Sequence, residues 1–147
     1  MGEGPNAVRV EVVGVFERER GDPDEERSPV LVLRDAATRE VSIAIGSCEA
    51  FAIHLALGEQ LVARPLTHDL AVRLLEKLSG AVARVVIGEG ENRPHHASIY
   101  LNSPKGEIPM EADAGDAVAL ALRAEAPIYA TEEVLSGAGR RGGEPPD

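Results

Sequence analysis

The sequence predicts an α+β domain, in which about three helices pack against a mixed or mostly antiparallel sheet. The first observation is the order of the segments. Three stretches rich in Val and Ile precede two helical stretches, and a strand pair separates these from a further helix. The second is composition, since 44% of the 147 residues are hydrophobic and only 3% are aromatic. These values predict one domain with a core of Val, Leu, Ile and Ala.

The predicted strands are runs of β-branched residues in which apolar and polar positions nearly alternate. They cover residues 7–16, 30–35, 39–46, 81–89 and 95–102, and shorter extended segments cover 106–112 and 127–130. Gly88 and Gly90 lie in the turn that joins the fourth and fifth strands, which predicts a hairpin there.

The predicted helices show periodic apolar residues between start and stop signals. They cover residues 47–58, 67–78 and 113–126, and a last helical turn begins at Thr131. The second helix carries an apolar stripe of leucines, which predicts that this face packs on the core. The stripe consists of Leu70, Leu74, Leu75 and Leu78. Residues 137–147 lack large apolar side chains, and we expect a disordered tail.

Charge and cysteine content restrict the possible functions. The formal net charge is -10, which opposes nucleic-acid binding driven by phosphate neutralisation. Any nucleic-acid chemistry therefore needs a local basic patch, a divalent metal ion or both. Cys48 is the only cysteine, so an internal disulfide is excluded and a reducing compartment is expected. Because no signal peptide or membrane-spanning apolar run is recognisable, we expect a cytoplasmic protein that does not enter a membrane.

An acidic side chain stands at the start of each predicted main helix. Thr67 occupies the N-cap position of the second helix, and Asp69 in its first turn complements the helix dipole. Asp113 can cap the third helix, with Asp116 reaching back in a box-like arrangement. Glu49 lies in the opening turn of the first helix. For any one of these acids taken alone, helix capping is the simpler interpretation.

Taken together, the same residues predict a site for phosphodiester chemistry. If the helix starts converge at one edge of the sheet, their acids could hold Mg²⁺ or Mn²⁺, which prefer oxygen ligands and bind substrate phosphates. Such an ion polarises a phosphodiester and activates water. His68 could act as a general base or protonate the leaving group, while Arg64 or Arg123 holds a phosphate. The predicted metal ligands are Asp69, Asp113 and Asp116.

Three blocks of the sequence resemble the bifunctional nuclease family. They are "VSIAIGSCEAFAI" (41–53), "RPLTHDL" (64–70) and "DAGDAVALALRAEAPIYATEEVL" (113–135), in the family's order. The second block is the most specific, and it is intact here. The resemblance covers roughly residues 7–135, so we expect a bifunctional-nuclease-like domain at residues 1–136.

The resemblance implies nuclease activity on RNA and DNA. The positions that match family motifs are Glu49, Arg64, Thr67, His68, Asp69, Asp113, Asp116 and Arg123. From their chemistry we assign His68, Asp69, Glu49 and Asp116 as candidate catalytic residues, and Arg64, Arg123 and Thr67 as candidate substrate contacts. The chain departs from the family pattern at Ala114 and Gly115, where the family usually has Arg-Pro-Ser. This change removes a cation near the expected phosphate site.

Three functions are compatible with this pattern. The first is a metal-assisted nuclease, and the second is a non-catalytic binding or regulatory module, which the acidic balance and the altered Asp113–Asp116 segment favour. The third is a specialised enzyme for a smaller phosphorylated substrate.

His95 and His96 are adjacent in a predicted strand and face opposite sides, and exposure to solvent is the simpler interpretation for both. We also expect self-association, because the sheet has a possible open edge.

Overall fold

The computed structural model describes residues 6–17, 28–58, 67–90 and 93–138. Within them, seven strands are present: β1 (Ala7–Glu17), β2 (Pro29–Asp35), β3 (Glu40–Ala44), β4 (Ala81–Ile87), β5 (His96–Ser103), β6 (Gly106–Asp113) and β7 (Ile128–Thr131). The four helices are α1 (Ser47–Gly58), α2 (Thr67–Lys77), α3 (Ala114–Ala124) and α4 (Glu132–Ala138). The predicted tail lies almost wholly outside the described residues.

The strands form one sheet in the order β3-β2-β1-β7-β4-β5-β6. Its neighbouring strands pair antiparallel, except for β4 and β7, which are parallel. The prediction of an α+β domain with a mixed, mostly antiparallel sheet is therefore confirmed. The helix number is four rather than about three, because the helical turn expected after Thr131 continues as α4 through Ala138.

Most of the core lies between the helices and one face of the sheet, because burial alternates along strands such as β2 and β3. Its largest fully buried side chains are aliphatic: Leu31, Leu33, Ile53, Ile87, Ile99, Leu135, Val10, Val85, Val86 and Val118. Strand β4 buries three consecutive residues at its end, from Val85 to Ile87. Since successive strand residues face opposite sides, both faces of the sheet are covered at this end of β4, which lies between β7 and β5.

Helix α3 is the central helix of the layer on the sheet. It packs against α1, α2, β4, β5 and β6. Its buried residues are nearly all small: Ala114, Gly115, Ala117, Val118, Ala119 and Ala121. Small side chains allow the neighbouring backbones to approach closely, so the first turn of α3 is held against the start of α1.

The prediction that the leucine stripe of α2 packs on the core is wrong for three of its four residues. Leu70, Leu74 and Leu78 are exposed, Leu78 to 75% of its maximum, and Leu75 packs against the core. Residues at positions i, i+4 and i+8 share one helix face, and His68 and Asp69 lie on another. Because the latter two are bonded to α3, as described below, the leucine face is turned outward.

Helix α4 is joined to the turn between β2 and β3 by ionic contacts. The Arg39 guanidinium donates to Asp35 Oδ2 at 2.9 Å and to Glu132 Oε2 at 2.6 Å. Burial alone would raise the pKa of Asp35, but hydrogen bonds and the charge of Arg39, with the Ala37 N–H, hold that pKa below its usual value. This network therefore fixes α4 with charges that remain paired at neutral pH.

No helix in the described part of the chain is long and apolar enough to cross a membrane.

Candidate active site at the start of helix α3

The first turn of α3 is joined to α2 by an imidazole–carboxylate pair. His68 Nε2 lies 2.9 Å from Asp116 Oδ1. The His68 side chain is 14% exposed and that of Asp116 is 44% exposed, so solvent reaches the pair mainly from the carboxylate. A carboxylate on one ring nitrogen fixes the orientation of the imidazole. The pair has the chemistry of a proton-transfer unit, although its two residues are 48 positions apart.

A second contact joins α2 to the other end of α3. Arg123 Nε donates to Asp69 Oδ1 at 2.9 Å, and another nitrogen of the same guanidinium donates to the carbonyl of Ala52 in α1 at 3.0 Å. Arg123 is 11% exposed, so this is a largely buried cation that links three helices. The Thr67–Leu70 segment therefore places His68 toward the start of α3 and Asp69 toward its end.

A cleft of about 360 Å³ opens beside the start of α3, and neither His68 nor Asp116 lines it. Two of its lining residues, Glu49 and Asp113, are among the predicted site residues. The complete lining is Ser28, Ile43, Ala44, Ile45, Gly46, Glu49, His95, Asp113, Ala114 and Gly115. Since Asp116 is three residues after Asp113, the cleft and the His68–Asp116 pair are neighbours at the first turn of α3.

Two glycines leave room for Glu49 in the cleft. A Cβ on Gly46 would collide with the Glu49 carboxylate. A Cβ on Gly115 would lie 3.0 Å from the Glu49 Cβ and 3.2 Å from the Ile45 side chain, which is tighter than ordinary packing. Gly115, in the segment that departs from the family pattern, thus makes room for a close approach of α1 to α3.

Asp113 stands at the N-cap of α3, as the sequence predicts. Its backbone is extended, with φ -73° and ψ 150°, but its side chain makes no capping hydrogen bond among the described residues. Asp116 does not reach back toward the N-cap in a capping box, because its carboxylate is bonded to His68. The first-turn acids of α3 are therefore directed to the cleft and to α2.

His95 lines the cleft, although exposure to solvent was the simpler interpretation of its place in the sequence. Strand β5 begins at His96 rather than at His95, so His95 lies in the turn before the strand. Its carbonyl accepts a hydrogen bond from Ala114 N at 2.9 Å, which attaches this turn to the first residue of α3. A position at the return of a hairpin was the only signal in the sequence, and it does not reveal a contact with a helix that starts 19 residues later.

The remaining predicted residues lie apart from the cleft lining or outside the described residues. Arg64 falls in the undescribed range 59–66, and Thr67 is exposed at the first residue of α2. Among the described residues, no group of three or more His, Cys, Asp and Glu side chains has the geometry to hold a metal ion. Asp69 and Asp116 are engaged with Arg123 and His68, so the three aspartates predicted as ligands do not fit one ion in this arrangement.

The sheet face opposite the helices carries a separate cluster around Tyr100. The Arg84 guanidinium lies 3.9 Å from the centroid of the Tyr100 ring and donates to Glu107 at 2.8 Å. The Tyr100 hydroxyl donates to Glu89. Burial, followed by this hydrogen bond and the negative charge of Glu89, raises the pKa of Tyr100 to about 12. Because one face of the ring is covered by Arg84, this tyrosine is poorly placed to stack on a base.

Comparison with known proteins identifies the family. The model of the bifunctional nuclease domain matches residues 31–141 of the chain. The chain belongs to this family. It is also similar to two uncharacterized proteins of Mycobacterium tuberculosis, from strains CDC 1551 / Oshkosh and ATCC 25618 / H37Rv. Each is 37% identical over 115 residues, which cover 78% of this chain and 68% of the relative. The resemblance seen in the sequence is thus confirmed, and the family suggests a nuclease-related function and contact with nucleic acid.

Proposed function

We propose that this bifunctional nuclease domain hydrolyses phosphodiester bonds of RNA, DNA or both at the first turn of α3. The observation that carries the proposal is convergence. Glu49 from α1, His68 from α2, and Asp113 and Asp116 from the start of α3 all lie around this one turn. Family membership suggests the substrate class, and these residues supply the groups that proton transfer requires.

The proposed roles follow from exposure and bonding. Glu49 lines an open cleft and takes a proton from the attacking water, as a fixed carboxylate can. Asp113 borders the same space and orients that water. The His68–Asp116 pair fixes the helical turn that carries Asp113 and adds a second proton-transfer group at its edge. Asp69 and Arg123 act by holding α2 on α3, because their side chains are bonded to each other.

The acidity of the cleft is the main obstacle to this chemistry. Two carboxylates border it, the chain carries a net charge of -10, and a phosphodiester is itself an anion. Binding should therefore be weak and sensitive to cations in the buffer. We propose Mg²⁺ or Mn²⁺ as the cation that offsets this charge, and comparison of each ion with EDTA tests it directly.

The test is cleavage of end-labelled single-stranded RNA and DNA by purified protein with Mg²⁺, with Mn²⁺ and with EDTA. Glu49→Gln and Asp113→Asn should each lower the rate by about 10²-fold or more, the usual contribution of a proton-transfer group. Glu111→Gln, an exposed carboxylate on β6, is the matched control and should retain the wild-type rate. Thermal unfolding of every variant separates loss of chemistry from loss of folding.

The opposite results are equally informative. Wild-type cleavage that persists in both cleft variants would move the reaction to another site. Absence of cleavage by the wild type under all three conditions would reject the nuclease proposal. It would favour a non-catalytic module, for which the exposed leucines of α2 are the specific observation.

A further inference from the structure

Among the described residues that line the cleft, one side chain can carry a positive charge. Of its polar lining residues, Glu49 and Asp113 are acids, Ser28 is neutral, and His95 is an imidazole. A phosphodiester brought into this space meets two negative charges, so the imidazole is the group of the lining that can attract it. Histidine is also the side chain that can both hold and release a proton near neutral pH.

The backbone around His95 holds this residue at the reaction site of the proposed function. Its carbonyl is bonded to Ala114 N, the first amide of α3, at 2.9 Å. Asp113, the residue before that amide, borders the same cleft. The hydrogen bond uses only the main chain of His95, so it leaves the imidazole available for another role.

The neighbouring histidine restricts where the His95 ring can lie. The ring centroids of His95 and His96 are 4.8 Å apart, and the rings are inclined by 52°. His96 is half-buried at the start of β5, whereas His95 is exposed. The ring of His96 thus lies beside that of His95, which lines the cleft.

We propose that His95 is the general acid of the reaction, a role that rests on the proposed nuclease function. Water forms the new bond to phosphorus and gives its proton to the Glu49 carboxylate. The bond from phosphorus to the leaving sugar oxygen breaks, and that oxygen takes a proton from the His95 imidazolium. Solvent then removes the proton from Glu49 and returns one to His95. The products are a phosphate monoester and an alcohol, so the balance requires only water.

A general acid can be distinguished from a binding or structural residue by changing the leaving group. A sugar hydroxyl leaves poorly unless it is protonated, whereas 4-nitrophenolate leaves as the anion. The loss of a general acid therefore slows hydrolysis of RNA or DNA and has little effect on a 4-nitrophenyl phosphodiester of the same nucleoside. A residue that only binds the phosphate or supports the turn would affect both substrates equally.

The variant is His95→Gln, which retains the main-chain carbonyl that Ala114 requires, and His95→Asn provides a second replacement. His54→Gln, an exposed imidazole on α1, is the matched control. We expect His95→Gln to lower cleavage of the oligonucleotide by about 10²-fold and to leave hydrolysis of the 4-nitrophenyl thymidine phosphodiester nearly unchanged. The control should cleave both substrates at the wild-type rate.

Equal losses on the two substrates, or no loss on either, would overturn the assignment of His95 while leaving the nuclease proposal in place. Failure of the wild type to cleave either substrate would instead overturn the proposed function and the role of His95 with it. Unfolding temperatures measured for both His95 variants exclude a folding defect as the source of a selective loss.

Discussion

Helices α2 and α3 have the same length, 11 residues, but are held in the protein by different forces. Six residues of α3 are buried, and most of them are Ala or Gly. The structure describes every residue of α2, and none of them is fully buried. Its docking depends on Leu75 and on the bonds of His68 and Asp69 to α3. One helix is thus fixed by close packing and the other largely by directional polar contacts.

This difference shows why residue types alone do not assign a function to the Thr67–Leu70 segment. His68 and Asp69 have the chemistry of catalytic groups, yet both are used to attach α2. A variant that loses activity at either position could have lost a proton carrier or displaced a helix. Stability measurements on matched variants of α2 and α3 separate the loss of a proton carrier from the displacement of a helix.

The largest effect is expected from overpacking α3. Ala117→Leu introduces a larger side chain at a position with no exposed surface, which should lower the free energy of unfolding by about 1–3 kcal/mol. Ala71→Leu makes the same substitution at a half-buried position of α2, and it should lower the free energy of unfolding clearly less than Ala117→Leu does. Urea denaturation of both variants gives the comparison. Equal losses would show that α2 is as closely packed as α3.

The next effect concerns the buried cation between the helices. Arg123→Met keeps most of the aliphatic chain but removes the donors to Asp69 and to the Ala52 carbonyl, so we expect a loss of about 1–2 kcal/mol. Arg73→Met on the exposed face of α2 is the control and should change stability by less than about 0.5 kcal/mol. Indistinguishable urea midpoints for the two variants would mean that polar contacts do not hold α2.

Most of the fold follows from local sequence patterns. The strands and helices lie within a few residues of their predicted positions, because β-branched runs, helix caps and glycine stops act over short distances. The orientation of α2 was missed for the opposite reason. Its leucine stripe is a local signal, but the contacts that turn it outward reach Asp116 and Arg123, 48 and 54 residues away.

The same distinction applies to the site. Sequence reasoning selected Glu49, Asp113, His68 and Asp116, and the structure gathers these around one helical turn. The sequence alone does not show that they divide into a cleft and an interhelical pair, because the division depends on how closely α1 approaches α3 at Gly115. His95 was missed because its link to α3 is a main-chain hydrogen bond, which no residue type encodes.

A smaller effect is expected from the pair between His68 and Asp116. His68→Gln, Asp116→Asn and the double variant form a thermodynamic cycle, whose coupling energy for unfolding should be about 0.2–1 kcal/mol because the carboxylate is well exposed. If the pair also transfers protons, the coupling measured from cleavage rates should exceed the coupling measured from stability. Equal couplings in the two measurements would assign the pair to attachment of α2 alone.

The smallest effect on folding is expected at the outer face of α2. Leu74→Gln exchanges an exposed leucine for a polar residue of similar length, and should change the free energy of unfolding by less than about 0.5 kcal/mol. Self-association would depend on this residue, unlike folding. Leu70, Leu74 and Leu78 form an exposed apolar stripe that a second copy could cover about a two-fold axis. Sedimentation of wild type and variant at several concentrations tests this. If the wild type is a dimer that Leu74→Gln dissociates without loss of folding, the stripe is an interface between copies, whereas a wild-type monomer would remove self-association as the reason for its exposure.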